Sequence, residues 1–259
     1  MQSEASGSAA RLQAILDSAA QAVVAREEGA YAGIIDTLKS LMDAVHPKHL
    51  GLPPPPPPQP PAKSLSKEQN VIHSQIVYEC ADFELCIFLF PAGTRLPLHD
   101  HPGMTVLTKV LYGTLSMRSF DWEQPLEPSD LAAMTAEQQR QERERKAHGT
   151  RSEAVPGHVL PRPRVACRRA DTVLTPEAPT FCLRPDFANI HSFEAQSACA
   201  VLDLIMPPYD DGAGRACHYF TVADESDGIR PLLAVAEPEP GSLTIRGLPY
   251  LGPKLRPPN

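Results

Sequence analysis

The sequence predicts a mainly β protein, a sandwich or barrel, preceded by a helical segment. Apolar residues recur at helical spacing from Arg11 to Val45. From Ile72 onward the spacing changes to strict alternation, which is typical of strands. Further strand candidates, separated by Gly, Pro, Asp or Ser clusters, are Thr105 to Phe120, Asp171 to Leu174, Asn189 to Glu194, Cys199 to Met206 and Leu243 to Gly247. Short strands at regular spacing favour a sandwich or barrel.

Changes in composition along the chain predict its domain organisation. Residues 1–50 are expected to form a helical segment, broken at Gly29, that packs on the barrel. Residues 51–70 read as a proline-rich linker, with an exposed polyproline II stretch from Pro53 to Pro61. Residues 71–259 form the main domain. Within it, residues 123–170 are a polar insertion, expected to be an exposed loop with at most a frayed helix.

Composition and charge exclude several classes of function. The formal net charge is -7, whereas nucleic-acid and anionic-membrane surfaces need clustered positive charge, so neither partner is expected. We expect no secretory signal and no membrane-spanning helix. The six cysteines are scattered without a Cys-x-x-Cys pair, which favours free thiols in a reducing compartment. The expectation is a monomer in the cytoplasm and nucleus.

A histidine pair carries the strongest chemical signal. His99 and His101 lie two residues apart in a predicted strand, so both side chains can point into a barrel and share one divalent metal. An isolated pair of this kind also occurs by chance. A stable open site needs a third ligand, and His191 is the best candidate because it lies in a short alternating strand, although a hydrogen-bonded core histidine is the alternative. The other candidates are His46, His49, His73, His148, His158 and His218.

Several ordered motifs resemble one family. Gly93 to Gly113 looks like the first cupin motif, and Asn189 to His191 like the histidine-bearing part of the second. Closer still, the chain resembles the plant cysteine oxidases and their animal relative, 2-aminoethanethiol dioxygenase. The motifs are Pro97 to Met104, Lys109 to Gly113, Ser119 to Trp122, Asn189 to His191, Leu202 to Leu204 with Pro207 to Tyr209, Cys217 to Phe220, and Leu248 to Tyr250. The resemblance implies a cupin double-stranded β-helix, that is, a jelly-roll barrel.

One departure from the cupin pattern is informative. Many cupins supply a glutamate shortly after the histidine pair, but the matching positions here, Met104 to Val106, hold no carboxylate. Three neutral histidines leave Fe(II) its full double positive charge, which favours capture of a thiolate and then dioxygen. The resemblance therefore implies Fe(II) as the cofactor and thiol oxidation as the chemistry.

The resemblance also implies roles for residues outside the metal site. Asp203 would line the substrate pocket and contact the amino group of an N-terminal cysteine; a structural hydrogen bond to backbone is the alternative. Tyr209 would stand at the pocket mouth, or serve packing. Cys217 and Tyr219 lie two apart, and the animal relative suggests a thioether link between them, although plain packing is the default.

The sequence thus predicts an Fe(II)-dependent dioxygenase that converts the N-terminal cysteine of a protein or peptide to cysteine sulfinic acid with O2. By resemblance it would act as an oxygen sensor that feeds the N-degron pathway in hypoxia. The alternatives are the same chemistry on cysteamine or free cysteine, a zinc or nickel cupin isomerase, and a non-catalytic metal-binding scaffold.

Overall fold

A computed structural model describes residues 2–28, 31–57, 70–148, 163–224, 231–236 and 242–258. Its helices are α1 (Gln2–Glu28), α2 (Tyr31–Asp43) and α3 (Pro128–His148). Its strands are β1 (Val71–Glu79), β2 (Glu84–Phe90), β3 (Arg95–His99), β4 (Thr105–Tyr112), β5 (Leu115–Trp122), β6 (Arg164–Arg168), β7 (Thr172–Leu174), β8 (Phe181–Leu183), β9 (Ile190–Ala195), β10 (Cys199–Met206), β11 (Phe220–Asp224), β12 (Leu232–Val235) and β13 (Thr244–Gly247).

The strands form two sheets that close into a barrel. The first sheet has the order β13-β1-β2-β10-β4-β8, and the second β11-β12-β6-β5-β9-β3, with β7 also paired to β5. An apolar cluster joins their inner faces, since Val110 and Val201 of the first sheet pack with Met117 and Phe193 of the second. The fold is the predicted mainly β jelly-roll of the cupin type.

Alternation along β10 assigns its two faces. Leu202 and Leu204 pack under the N-terminal helices, whereas Val201 and Ile205 belong to interior clusters. Asp203 therefore faces the barrel interior, because alternate residues of a strand share a face. Every residue of β10 is buried, as expected for a strand covered on both sides.

The helices α1 and α2 cover the outer face of the first sheet. Leu12 and Ile15 of α1 and Leu38 of α2 are fully buried in one cluster with Leu85 and Leu202 of the sheet. This contact explains why the helical spacing was visible in the sequence, because the buried stripe matches the helical period. The division into 1–50, 51–70 and 71–259 remains a prediction. Residues 53–57 are exposed and have no regular structure, while the rest of the predicted polyproline stretch lies outside the described residues.

The strand predicted from Thr105 to Phe120 is two strands, β4 and β5, joined at Gly113. Gly113 has φ of +86°, and a Cβ atom built there would lie 2.2 Å from the carbonyl oxygen of Ala198. Only glycine fits such a close approach in the left-handed region. The turn returns the chain so that β5 pairs with β9, which carries His191.

The polar insertion differs from the expectation of an exposed loop. Residues Pro128–His148 form the helix α3, and Met134 is buried against Leu98, Phe120 and Phe220 on the outer face of the second sheet. The sequence shows almost no apolar face here because α3 also contacts the barrel through hydrogen bonds of Thr135, Gln138 and Gln141, and hydrophobic spacing does not report polar contacts. Residues 149–162 of the insertion lie outside the described residues.

All six cysteines lie within the described residues, and none of them forms a disulfide bond. Among the described residues, no helix combines the length and the apolar character needed to cross a bilayer.

Candidate metal centre

Three buried histidines converge inside the barrel. His99 ends β3 and pairs across the sheet with His191 in β9, and His101 follows two residues beyond the end of β3. One ring nitrogen from each of the three lies within 4.8 Å of the other two. The ring centroids of His99 and His191 are 4.5 Å apart. The structure therefore brings together the three residues that the sequence singled out as ligands, although His101 lies outside the strand.

Hydrogen bonds determine which ring nitrogen of His99 and of His101 is available to bind a metal. The Nδ1 atom of His99 lies 2.9 Å from the carbonyl oxygen of Pro97, which can only accept, so Nδ1 carries the proton and Nε2 keeps its lone pair. The hydroxyl of Tyr209 donates to the carbonyl oxygen of Asp100 at 2.7 Å and lies 2.8 Å from Nδ1 of His101. With its proton so used, Tyr209 accepts from His101, whose Nε2 is likewise left free to bind a metal.

The surroundings keep the three imidazoles neutral. Burial lowers the pKa of His99, and burial together with repulsion from His99 holds the pKa of His101 and His191 well below the usual range. Neutral imidazole is the form that binds a metal. In addition, Nδ1 of His191 is buried without a hydrogen-bond partner among the described residues. A divalent cation would compensate for the cost of burying such polar nitrogens.

No carboxylate belongs to this cluster within the described part of the chain. The positions after the pair, where many cupins carry glutamate, are buried and hold Met104, Thr105 and Val106. Three neutral nitrogen donors with open coordination positions suit a catalytic divalent transition metal. The residues present therefore fit a metal centre that keeps its full positive charge.

Asp203 contributes an acidic group from the facing sheet. It is 8% exposed, its register partners on the neighbouring strands are Thr108 and Cys86, and its Oδ1 atom has no hydrogen-bond partner within the described residues. Burial raises the pKa of Asp203 to about 7, against an opposing hydrogen bond from Thr108. The role of Asp203, either contact with the substrate amine or a structural hydrogen bond, remains a prediction.

Tyr209, Cys217 and Tyr219 surround the histidines. The ring of Tyr209 stacks on His101 with centroids 5.1 Å apart, and its hydroxyl also contacts the thiol of Cys217. Tyr219 forms an isolated β-bridge with His99, and the two ring centroids are 6.3 Å apart. All three predicted residues thus adjoin the centre, but their roles in catalysis, and a link between Cys217 and Tyr219, remain predictions.

Sequence reasoning missed a buried pair behind the ligands. His218, which is 0% exposed, lies with Nδ1 3.0 Å from Oδ2 of Asp100, and its backbone N–H donates to Oδ1 of the same carboxylate at 2.8 Å. His218 was among the candidate ligands, but its ring is used by this pair instead. Asp100 lies between His99 and His101, so alternation could have indicated that it points away from the metal.

The remaining histidine candidates do not join the centre. His46 and His49 flank a short 3-10 helix, where Nδ1 of His49 accepts from the backbone of His46. His73 lies in β1 and belongs to no metal-binding cluster among the described residues. His148 ends α3, and its side chain, like the whole of His158, lies outside what the structure describes.

Curated proteins similar to this chain match it over most of its length. Plant cysteine oxidase 2 of Arabidopsis thaliana is 30% identical over 238 residues, which cover 86% of this chain and 74% of the relative. The 2-aminoethanethiol dioxygenase of Homo sapiens is 33% identical over 239 residues, covering 86% and 82%. Among solved structures, a cupin superfamily protein from Desulfitobacterium hafniense matches 57% of this chain and 83% of its own at 10% identity, with a TM-score of 0.30, which is too distant to inform the site.

The PCO_ADO family model matches residues 41–255, which include every residue of the metal centre. This chain therefore belongs to the PCO_ADO family of thiol dioxygenases, and it is a dioxygenase enzyme of the cupin fold.

Proposed function

We propose that this protein uses Fe(II) and O2 to oxidise the N-terminal cysteine of a protein or peptide to cysteine sulfinic acid. Both oxygen atoms become bonded to sulfur. Sulfur loses four electrons and dioxygen gains four, so the reaction needs no external reductant. The thiol proton is conserved in the sulfinic acid or released from it.

The observation that carries this proposal is the set of three neutral histidines, to which the described part of the chain adds no carboxylate ligand. A metal held this way keeps a double positive charge, which attracts a thiolate and lowers the pKa of the bound thiol. Three protein ligands leave coordination positions for substrate and oxygen. The relatives, a plant cysteine oxidase and a 2-aminoethanethiol dioxygenase, are named for thiol substrates, which supports a thiol substrate here.

Fe(II) bound by His99, His101 and His191 would supply the redox chemistry that joins dioxygen to sulfur. The surrounding residues prepare that site. Pro97 and Tyr209 hold the rings of His99 and His101 so that their Nε2 atoms face inward. Such contacts to the distal ring nitrogen set both orientation and basicity of a ligand.

Asp203 is proposed to bind the substrate's amino group. Its buried Oδ1 has no hydrogen-bond partner among the described residues, and an ammonium group would satisfy it. An N-terminal cysteine carries an amine two carbons from its sulfur, so one substrate offers both an ammonium group for Asp203 and a thiolate for the metal. An internal cysteine, whose nitrogen is an amide, lacks that positive charge.

We further propose that the supply of oxygen limits this reaction in the cytoplasm and nucleus, so that the protein reports hypoxia to the N-degron pathway as a monomer. Oxidation converts a neutral N-terminal side chain to an anion, which a recognition enzyme can distinguish. Resemblance to the plant relatives supports this step. A dependence of the initial rate on oxygen across the physiological range would test it, and saturation far below that range would count against sensing.

Mass spectrometry of two matched peptides tests the substrate. Iron-loaded protein is expected to add two oxygens to a peptide with a free N-terminal cysteine, and to react at least about tenfold more slowly with the N-acetylated peptide, which lacks a charged amine. Equal rates on both peptides, or no oxygen addition to either, would contradict the proposal.

Cysteamine is a second candidate substrate, because one relative is named for 2-aminoethanethiol and because Asp203 would accept its ammonium group equally well. The two candidates separate in a competition experiment with cysteamine and the free-amine peptide. A larger kcat/KM for the peptide favours the first candidate, and a larger value for cysteamine favours the second.

A further inference from the structure

The polar helix α3 reaches the metal centre through a short segment of the barrel. Gln138 spans residues 217–219: its Nε2 donates to the carbonyl oxygen of Cys217 at 2.8 Å, and its Oε1 accepts from the backbone N–H of Tyr219 at 2.9 Å. One side chain therefore fixes the backbone on both sides of His218. The pairing resembles the two bonds of a strand ladder, here made by a helix side chain.

Thr135, one turn earlier on α3, contacts the residue that Gln138 brackets. Its hydroxyl lies 2.8 Å from Nε2 of His218 and donates to the carbonyl oxygen of Leu131 at 3.0 Å. The two groups therefore form a hydrogen bond, whose direction is set by the tautomer of the His218 ring. The side chain of His218 is thereby held at one ring nitrogen by α3 and at the other by Asp100.

Asp100 passes this restraint to two metal ligands. Its backbone N–H donates to the carbonyl oxygen of His218 at 3.1 Å, and its carboxylate receives both the backbone and the ring of His218. His99 and His101 are its direct neighbours in the chain. A shift of His218 would therefore displace the backbone between the two ligands. Tyr219, which Gln138 also holds, bridges His99 directly.

We propose that α3 is a positioning helix for the metal centre, in which Gln138 and Thr135 hold residues 217–219 so that the His218–Asp100 pair sets the geometry of His99 and His101. The proposal builds on the metal centre of the proposed function but not on its substrate. It assigns a role to the polar insertion, whose hydrophilic sequence would otherwise suggest only a solvated surface. Neither Gln138 nor Thr135 touches the metal, so both are positioning residues.

The chain offers matched variants for the test. Gln138→Met removes both bonds and keeps the length of the side chain. Gln139→Met makes the same replacement on the exposed face of the helix, next in sequence. Thr135→Val exchanges the hydroxyl for a methyl group, and Thr135→Ser restores the hydroxyl.

Binding of Co²⁺ alone to the full chain gives a readout that does not need turnover. Gln138→Met and Thr135→Val are expected to weaken Co²⁺ binding about tenfold and to change the visible spectrum of the bound ion. Tenfold is the lower limit of the usual effect of replacing a residue that orients a metal ligand. Gln139→Met and Thr135→Ser should bind and absorb as the wild type does. Unchanged affinity and spectrum in both loss variants would overturn the proposal, as would equal losses in Gln139→Met.

The role of α3 can be tested even if one variant does not fold or if the proposed function is wrong. If Gln138→Met does not fold, the comparison of Thr135→Val with Thr135→Ser still tests the proposal, because these two substitutions change only a small side chain. If the wild type binds Co²⁺ tightly but oxidises no thiol, the proposed function fails while the comparison of variants still tests α3. In an active enzyme, the positioning role predicts that the loss variants lower kcat more than they raise KM for the thiol substrate.

Discussion

The two sheets of the barrel are covered in different ways. The first sheet lies under α1 and α2, which contact it through a large apolar cluster in which Leu38 is fully buried. An ion pair between Asp43 and Lys109 joins α2 to the same sheet. The second sheet carries His99 and His191 and lies under α3, which combines one buried apolar residue, Met134, with hydrogen bonds from Thr135 and Gln138. The helices over the first sheet therefore mainly stabilise the fold, whereas the helix over the second sheet positions residues of the metal centre.

The largest effect on stability is therefore expected under α1 and α2. Leu38→Ala should lower the free energy of unfolding by about 2–5 kcal/mol, because it leaves a cavity in a fully buried cluster. Metal affinity of the folded protein should not change. Chemical denaturation checks the first value, and Val24→Ala, at a position 58% exposed on α1, is the control expected to stay within about 0.5 kcal/mol. A comparable loss of unfolding free energy in Val24→Ala would contradict the conclusion that the buried contacts of α1 and α2 stabilise the first sheet.

A smaller effect on stability is expected from Asp203, whose carboxyl group faces the barrel interior from the first sheet. The folded pKa of Asp203 is about 7, above the unfolded value of about 3.9. Below both values the group is protonated in either state; between them only the unfolded state ionises, so stability falls as the pH rises. In metal-free protein, the wild type should lose about 2 kcal/mol relative to Asp203→Asn between pH 5 and pH 6.5.

Denaturation of the two proteins at several pH values measures this difference. It should level off above pH 7, where the folded carboxyl ionises as well. Parallel pH profiles for wild type and Asp203→Asn would show that Asp203 is not held protonated by burial. Protein loaded with metal should show a smaller difference, because a nearby cation stabilises the carboxylate.

The smallest effect on stability is expected at the His218–Asp100 pair. Its effect on metal binding should be larger. Asp100→Asn keeps an acceptor for His218 but loses the charge, which should cost about 1–2 kcal/mol of unfolding free energy. Metal affinity should fall about 10–100-fold, since the pair holds the chain between His99 and His101. Calorimetric titration with Co²⁺ measures this. A stability loss without a change in affinity would place Asp100 among purely structural residues.

The sequence allowed the fold class and the three histidines to be predicted for a shared reason. Alternation in strands and the spacing of His99 and His101 are local patterns, and His191 lies in a short strand of the same kind. The pairing of β3 with β9 then brings these residues together. Asp203 was likewise visible as an acid within an apolar run.

What escaped prediction depends on contacts between distant segments. The His218–Asp100 pair joins residues 118 positions apart, so no local pattern reports it. The role of α3 was hidden because its contacts are hydrogen bonds of Thr135 and Gln138, residues that look identical in sequence whether solvated or packed. Hydrophobic spacing found the helices over the first sheet and missed the one over the second for this physical reason.

The most direct test of the central claim is the mass of the product that iron-loaded protein forms from a peptide with an N-terminal cysteine under isotopically heavy dioxygen. We expect a sulfinic acid carrying two heavy oxygen atoms, and loss of that product in His191→Ala. A product with one heavy oxygen, with oxygen from water, or with an undiminished yield in His191→Ala would contradict a three-histidine centre for thiol dioxygenation.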